Sequence, residues 1–220
     1  LDAHQVAEGQ TIERASLERG LILLEQRSGA PVQVLMQPGA TVGTSHMVIE
    51  APSGPLFSGY LGVDNYGNRF SGQNRATAQL NLNSPLGIGD LASVWLMGTS
   101  ESDAVFASYQ APVGYRGLTL GVSYSQFNYQ LCCDFAPLEQ QGYAKVFGVQ
   151  ARYPLLLTQR AIANIGLSAE HKHLNDRSVV GELDDKDANV VTLSVDGLAA
   201  TDRGQNRYQA MLSAGDLNIS

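Results

Sequence analysis

No run in this 220-residue sequence comes near the roughly 20 consecutive apolar residues that a membrane-spanning helix requires. No segment of this sequence therefore reads as a membrane-spanning helix. This does not exclude a transmembrane β-barrel, whose lipid-facing residues stand at every second position, so the mean hydropathy of −0.10 decides nothing. Cysteine is confined to the adjacent pair Cys132 and Cys133. No Cys-x-x-Cys or similar metal spacing exists, and the pair reads as two loop thiols or a local bridge. Charged residues make up only 16% of the chain, lysine occurs three times, and the net charge is −7. With no basic cluster, nothing points to a nucleic-acid surface. No basic segment followed by an apolar core opens the chain at Leu1, so a signal peptide is expected to be absent or already removed.

Catalytic motifs are missing as well. There is no P-loop and no Gly-x-Ser-x-Gly elbow. Residues 87–92 fit Gly-x-Gly-x-x-Ala, but a strand-like segment comes next, and a pyrophosphate site needs a helix N-terminus there. His171 and His173 share one strand face near a strand end and read as an interfacial pair. Asp185, Asp187 and Asn189 imitate the start of a calcium loop, but Val190 stands where glycine is needed and Asp196 where glutamate is needed. Residues 175–188 are therefore expected to form a solvated acidic loop. No enzyme, no cofactor and no metal site is expected.

What the sequence does hold is a rhythm. Arg75, Thr77, Gln79, Asn81 and Asn83 alternate with Ala76, Ala78, Leu80 and Leu82. Period two is the signature of a strand with one wet and one apolar face. The same pattern returns in about nine segments after residue 55, near 56–64, 75–83, 90–99, 104–111, 118–130, 143–153, 161–174, 189–198 and 207–217. One face is built of Ala, Val, Leu, Ile and aromatic residues. The other is dominated by Gly, Ser, Thr, Asn and Gln, with little lysine. A solubilising outer surface usually carries more charge, whereas a water-filled lumen suits this composition. Arg75, Gln79, Arg152 and Glu170 are the expected lumen-facing residues. Tyr109, Tyr153 and Tyr208 stand on the apolar face near segment ends, where an interfacial aromatic girdle would place them.

The first 52 residues differ. Leu17, Leu21 and Leu24 recur at helical spacing within 13–27, and Ser28-Gly29 supplies a stop. Strands are expected over 31–37 and 44–51, joined by a Pro38-Gly39 turn. This is a small α+β module, and the Pro/Gly-rich stretch 51–55 divides it from the alternating segments.

The helix–strand–turn–strand run ending in Pro38-Gly39 and Gly43, Asp64-Asn65 with Gly67, and Asn83-Ser84-Pro85-Leu86-Gly87 with Gly89-Asp90 together carry a resemblance. The chain resembles the outer-membrane transporters of bacterial two-partner secretion, the haemolysin secretion/activation proteins and the transporters of filamentous haemagglutinin and contact-dependent toxins. The match is loose over the whole chain and most specific over residues 13–90. It implies a mainly β fold, a transmembrane antiparallel barrel of about sixteen strands, of which this chain would hold about nine. Part of a periplasmic polypeptide-transport-associated (POTRA) domain would occupy residues 1–52, and the N-terminal part of the barrel residues 53–220. The segment is expected to be a fragment that ends mid-strand at 218–220.

The implied role is export of one large secreted partner across the bacterial outer membrane, with lipid outside the barrel and the N-terminal part in the periplasm. The client would add as a strand to the edge formed by Val32, Gln33, Val34, Leu35 and Met36. An outer-membrane assembly insertase of the same superfamily and a soluble all-β binding module are the competing readings.

Overall fold

The computed structural model of the chain describes residues 11–52 and 54–219. Residues 1–10 and Ser53, expected to belong to the α+β module and the linker, and Ser220 at the chain end lie outside it. Helix α1 spans Arg14–Ser28. It stops at Gly29, whose φ of 66° is the left-handed cap that glycine accommodates, with its N–H donated to Glu25 O at 3.0 Å. Strands β1 (Gln33–Pro38) and β2 (Ser45–Glu50) come next as an antiparallel hairpin.

Nine further strands form a single sheet: β3 (Phe57–Asp64), β4 (Arg75–Asn83), β5 (Leu91–Gly98), β6 (Ser102–Val113), β7 (Leu118–Gln130), β8 (Gln141–Leu157), β9 (Ala161–Ser178), β10 (Gly181–Thr201) and β11 (Gly204–Ile219). Each pairs antiparallel with its sequence neighbours, so the sheet is a simple meander. This is the up-and-down order of a barrel wall, part of a transmembrane barrel.

The ladder register shows the two faces directly, because residues opposite one another share a face. One row runs Phe57, Leu82, Ala92, Tyr109, Val122, Val149, Ala169, Val191, Ala214 across all nine strands. Another runs Ala111, Leu120, Ala151, Leu167, Leu193, Leu212. Large members of these rows stay open, Leu167 at 53% and Leu193 at 43% exposure. No second sheet covers them among the described residues, as a sandwich would require. Hydrocarbon is the medium that fits such a face.

The band has an upper limit. A row that begins at Leu80, Val94, Ala107, Tyr124 and Phe147 continues as His171, Asn189 and Asp216. Rows therefore climb as strand number rises, as strands tilted against a barrel axis demand. Strands β7 to β10 each present about four apolar outward positions before turning polar. Eight residues of strand cover about 26 Å, or about 20 Å of height at a tilt near 40°. That matches the apolar band of an outer-membrane barrel.

The acidic segment 175–188 is a correction. It is strand, not loop: β9 and β10 continue to a two-residue turn at Val179-Val180. Above the apolar band both faces are wet, so period-two hydropathy disappears while the hydrogen-bond ladder persists. Asp185, Asp187 and Asn189 thus stand at alternate positions of a strand and cannot wrap an ion as a loop. The turn expected over 199–206 likewise shrinks to Asp202-Arg203. Strand β8 runs past the expected end at Tyr153, with a register shift between Pro154 and Leu156 that accommodates the proline. The two cysteines form a vicinal disulfide at the start of a 3₁₀ turn, Cys133–Leu138.

Candidate functional site

Three surfaces have the geometry of a site: the open edge of β1, the inward face of the wall, and the junction of α1 with the wall's lower turns. The β1–β2 hairpin is a sheet of two strands, so β1 has no second partner among the described residues. Gly39 N–H donates to Thr44 O at 2.9 Å, and hydrogen-bonded pairs alternate from there. Leu35 and Gln37 therefore bond toward β2, while Val34 and Met36 turn their N–H and C=O groups to the open side. Pro38 has no N–H and ends the usable edge. Val32 precedes the strand, and its N–H is already taken by Glu25 Oε1 at 3.1 Å. The expected edge 32–36 thus contracts to the part of β1 around Val34 and Met36.

Arg75, Gln79, Arg152 and Glu170 share the polar face of the sheet, each held by a neighbour. Arg75 grips Asp64 through Nε at 2.8 Å and Nη2 at 3.1 Å. Gln79 donates to Asn81 at 3.2 Å. Arg152 reaches Asp196 at 2.6 Å, and Asn164 joins the same carboxylate at 3.1 Å. Glu170 pairs with Lys172 at 2.9 Å. The ion pairs join β4 to β3 (Arg75 with Asp64), reach from β8 over β9 to β10 (Arg152 with Asp196) and lie within β9 (Glu170 with Lys172), and they leave the wall wet and nearly neutral. The two histidines stand outside it. His173 bonds Tyr143 Oη at 3.0 Å and Asp187 at 2.9 Å, and His171 bonds Asn189 at 2.9 Å, all above the apolar band.

The junction was not legible in the sequence. The helical spacing pointed to a Leu17/Leu21/Leu24 stripe, but the buried helix residues are Gly20 and Leu23. That side of α1 lies against the turns of three hairpins. Arg19 donates to Arg116 O at 2.9 Å and Pro154 O at 2.8 Å, and its guanidinium sits 5.8 Å from the Tyr153 ring centre. Arg27 donates to Gly114 O at 2.6 Å. Gln159 N–H donates to Glu18 at 2.6 Å. A Cβ on Gly89 would lie 2.7 Å from Arg27, and one on Gly117 would lie 2.8 Å from Leu23. Glycine permits both contacts.

The first of these turns is tied by Asp90, which is only 2% exposed. Its carboxylate accepts from Leu86 N–H at 3.2 Å and Tyr109 Oη at 2.9 Å. Burial pushes the Asp90 carboxyl up, but the Tyr109 hydroxyl and the turn amides outweigh it and hold the group below the usual aspartate range. A lowered folded value stabilises the fold above the unfolded value near 3.9, and that contribution fades as pH falls through the folded value. Unfolding followed from roughly pH 6 down to pH 2 is expected to show an acid-side loss of stability in the native protein that is smaller in Asp90→Asn. Equal acid sensitivity in the two would contradict this role for Asp90.

Among known proteins, a family model described as "Haemolysin secretion/activation protein ShlB/FhaC/HecB" matches residues 43–215. The chain is 24% identical over 189 residues to the heme/hemopexin transporter protein HuxB of Haemophilus influenzae (strain 86-028NP), covering 84% of this chain and 34% of that protein. It is 28% identical over 123 residues to the outer membrane transporter CdiB of Escherichia coli, covering 56% of this chain and 20% of that one. The solved structure of CdiB from Escherichia coli superposes with a TM-score of 0.80 at 18% identity, over 96% of this chain and 41% of that one. The chain thus spans about a third of the length of the HuxB relative.

Proposed function

The chain belongs to the haemolysin secretion/activation protein family ShlB/FhaC/HecB, and on that premise we propose that the full-length protein exports one large secreted partner, a haemolysin, adhesin or toxin, through a barrel in the bacterial outer membrane. The observation that carries this reading is the family match across residues 43–215, which takes in both the α+β hairpin's end and the barrel wall. The outward apolar band and the wet, charge-balanced inner wall support it physically. The protein acts as a conduit, with no chemical step. Residues 1–52 form the C-terminal part of a periplasmic POTRA domain, and 53–220 the N-terminal part of the barrel.

The unfolded client docks by adding a strand to the open side of β1, within Val32–Met36. Backbone pairing supplies affinity, and the side chains of Leu35 and Met36, 51% and 55% exposed, supply selectivity. The client then passes the inward face, where Arg75, Gln79, Arg152 and Glu170 keep it hydrated.

The test uses proline on the open edge. Met36→Pro removes an N–H that β2 does not use, so the hairpin survives, as edge strands tolerate proline on their solvent side. Secretion of the co-expressed partner is expected to fall roughly tenfold, since one buried backbone bond is worth about 1 kcal/mol and the steric block adds to it. Met36→Leu is expected to secrete normally. Unchanged secretion in Met36→Pro, with the barrel intact by heat-modifiable gel migration, would remove β1 as the docking edge.

A further inference from the structure

The inward face mixes polar residues with scattered aliphatic ones, such as Leu91, Met97, Val146 and Val190, but its aromatic residues have a placement that the transport reading does not explain. Every inward-facing aromatic residue of the described strands falls on one connected path. Tyr60 lies opposite Gln79, Gln79 opposite Trp95, and Trp95 opposite Phe106. Phe106 lies opposite Ser125, which places Phe127 two residues further along β7, and Tyr129 two beyond that. Phe127 and Tyr129 stack with ring centres 6.1 Å apart. Tyr60, Phe106 and Phe127 are 52%, 40% and 39% exposed, so their rings present open apolar surface to the inside of the wall. Strands β8 to β11 carry no aromatic residue on that face.

The direction of the path is informative. Rows climb with strand number, as the outward face shows. At a strand tilt near 40°, a step of one strand and two residues, such as Phe106 to Phe127, is about 8 Å long and runs within a few degrees of the barrel axis. The steps before and after it also gain height. From Tyr60 to Phe106 the path crosses three strand spacings, rising about 9 Å while moving about 11 Å around the wall; from Phe106 to Tyr129 it climbs about 13 Å more and turns back by about 5 Å, so that it rises by about 20 Å in all. A segment lying across the lumen would meet such a ladder at one rung. A chain moving along the axis meets it at every stage.

We infer that this ladder is a sliding track for the apolar side chains of the extended client. The inference rests on the transport reading and adds the class of client group that the wall engages. Without these rings, an unfolded polypeptide crossing a largely polar channel would leave most of its Leu, Ile, Val and Phe side chains facing water. Rings spaced along the path give each of them successive contacts, weak enough singly to let go. Between the rings, Gln79 and Ser125 keep the backbone of the client hydrated. The outward and loop aromatics do not share this face and take no part.

The experiment uses the full-length protein with its co-expressed partner and two passengers of equal length inserted in that partner, one rich in Leu and Phe and one of Gly and Ser. Trp95→Ala/Phe106→Ala is expected to slow export of the apolar passenger roughly threefold or more and to leave the Gly/Ser passenger near the native rate. Trp95→Phe/Phe106→Tyr is expected to restore the apolar passenger, which a simple loss of wall packing would not allow. A photo-cross-linking residue at Phe106 is expected to capture a stalled partner. Capture of the protein's own chain instead, or equal slowing of both passengers, would overturn the track. Failure of the native protein to export any partner would instead sink the transport reading itself, so the two failures are distinguishable. Should the alanine pair fail to assemble, the cross-link at Phe106 in the otherwise native protein still decides.

Discussion

Leu167→Arg is expected to destabilise the assembled barrel by about 2–4 kcal/mol, whereas Ser168→Arg, one residue on, is expected to change stability by less than about 0.5 kcal/mol. The two positions are adjacent in β9 and differ in which medium they meet. Leu167 shares a row with Ala151 and Leu193, stays 53% exposed, and lies midway along the outward apolar stretch of its strand. An arginine there must carry its charge into hydrocarbon or drag water down to it. Ser168 lies opposite Gln150 and Thr192 on the wet face, where an added guanidinium keeps its hydration.

The measurement is the temperature at which the compact band of the full-length protein converts to the extended form on a gel, in bilayers or detergent. A strong drop for Leu167→Arg with none for Ser168→Arg is the expected pattern. The reverse pattern would mean that the faces are assigned backwards. Equal small effects would mean that neither face meets lipid.

The same physics explains how much of the fold could be read without coordinates. Strands β4, β7 and β9 were legible because one side meets hydrocarbon and the other water, which forces alternation. Strand β4 has the expected limits at Arg75 and Asn83. Where the wall rises above the band, as in the upper parts of β9 and β10, both sides are wet and the hydropathy pattern vanishes. The ladder there is held by pairs such as His173 with Asp187, which look like loop residues in a sequence. The polar face of the sheet was legible as composition, but the pairing of Arg75 with Asp64 depended on register across a ten-residue loop. The contact of α1 with the wall was hidden for a different reason. Its acceptors are backbone carbonyls of Gly114, Arg116 and Pro154, and its packing surfaces are bare glycines. Neither feature has a residue type that announces it. The aromatic path inside the wall was also hidden, because its members come from four strands at spacings unrelated in sequence.

That hidden contact leads to the second large effect. Gly89→Ala is expected to lift α1 off the barrel. Gly89 has φ +83°, a conformation that costs an alanine about 1–2 kcal/mol. The new methyl group would also lie 2.7 Å from the Arg27 side chain at its Cβ and Cγ, so the helix end must move. Moving it breaks the bond from Arg27 to Gly114 O and loosens Ser28, whose carbonyl accepts the Gly54 N–H at 2.9 Å just before the wall begins. Arg27 lies in the last turn of α1, and trypsin reaches it only when that turn is free. Tryptic cleavage after Arg27 in the folded, membrane-embedded protein is expected to speed up roughly tenfold or more in Gly89→Ala, in line with loss of about 1.4 kcal/mol of docking. Gly98→Ala serves as the comparison, since a Cβ there meets nothing within 4 Å. Because β1 is joined to α1 by only a short connection, the freed helix no longer holds the open edge of β1 at a fixed place beneath the wall. Partner secretion is therefore expected to drop along with protection, while the heat-modifiable band of the barrel stays compact. Cleavage that stays slow in Gly89→Ala would show that the helix is not seated on this turn, and a barrel that loses its compact form would show that the turn serves the wall alone.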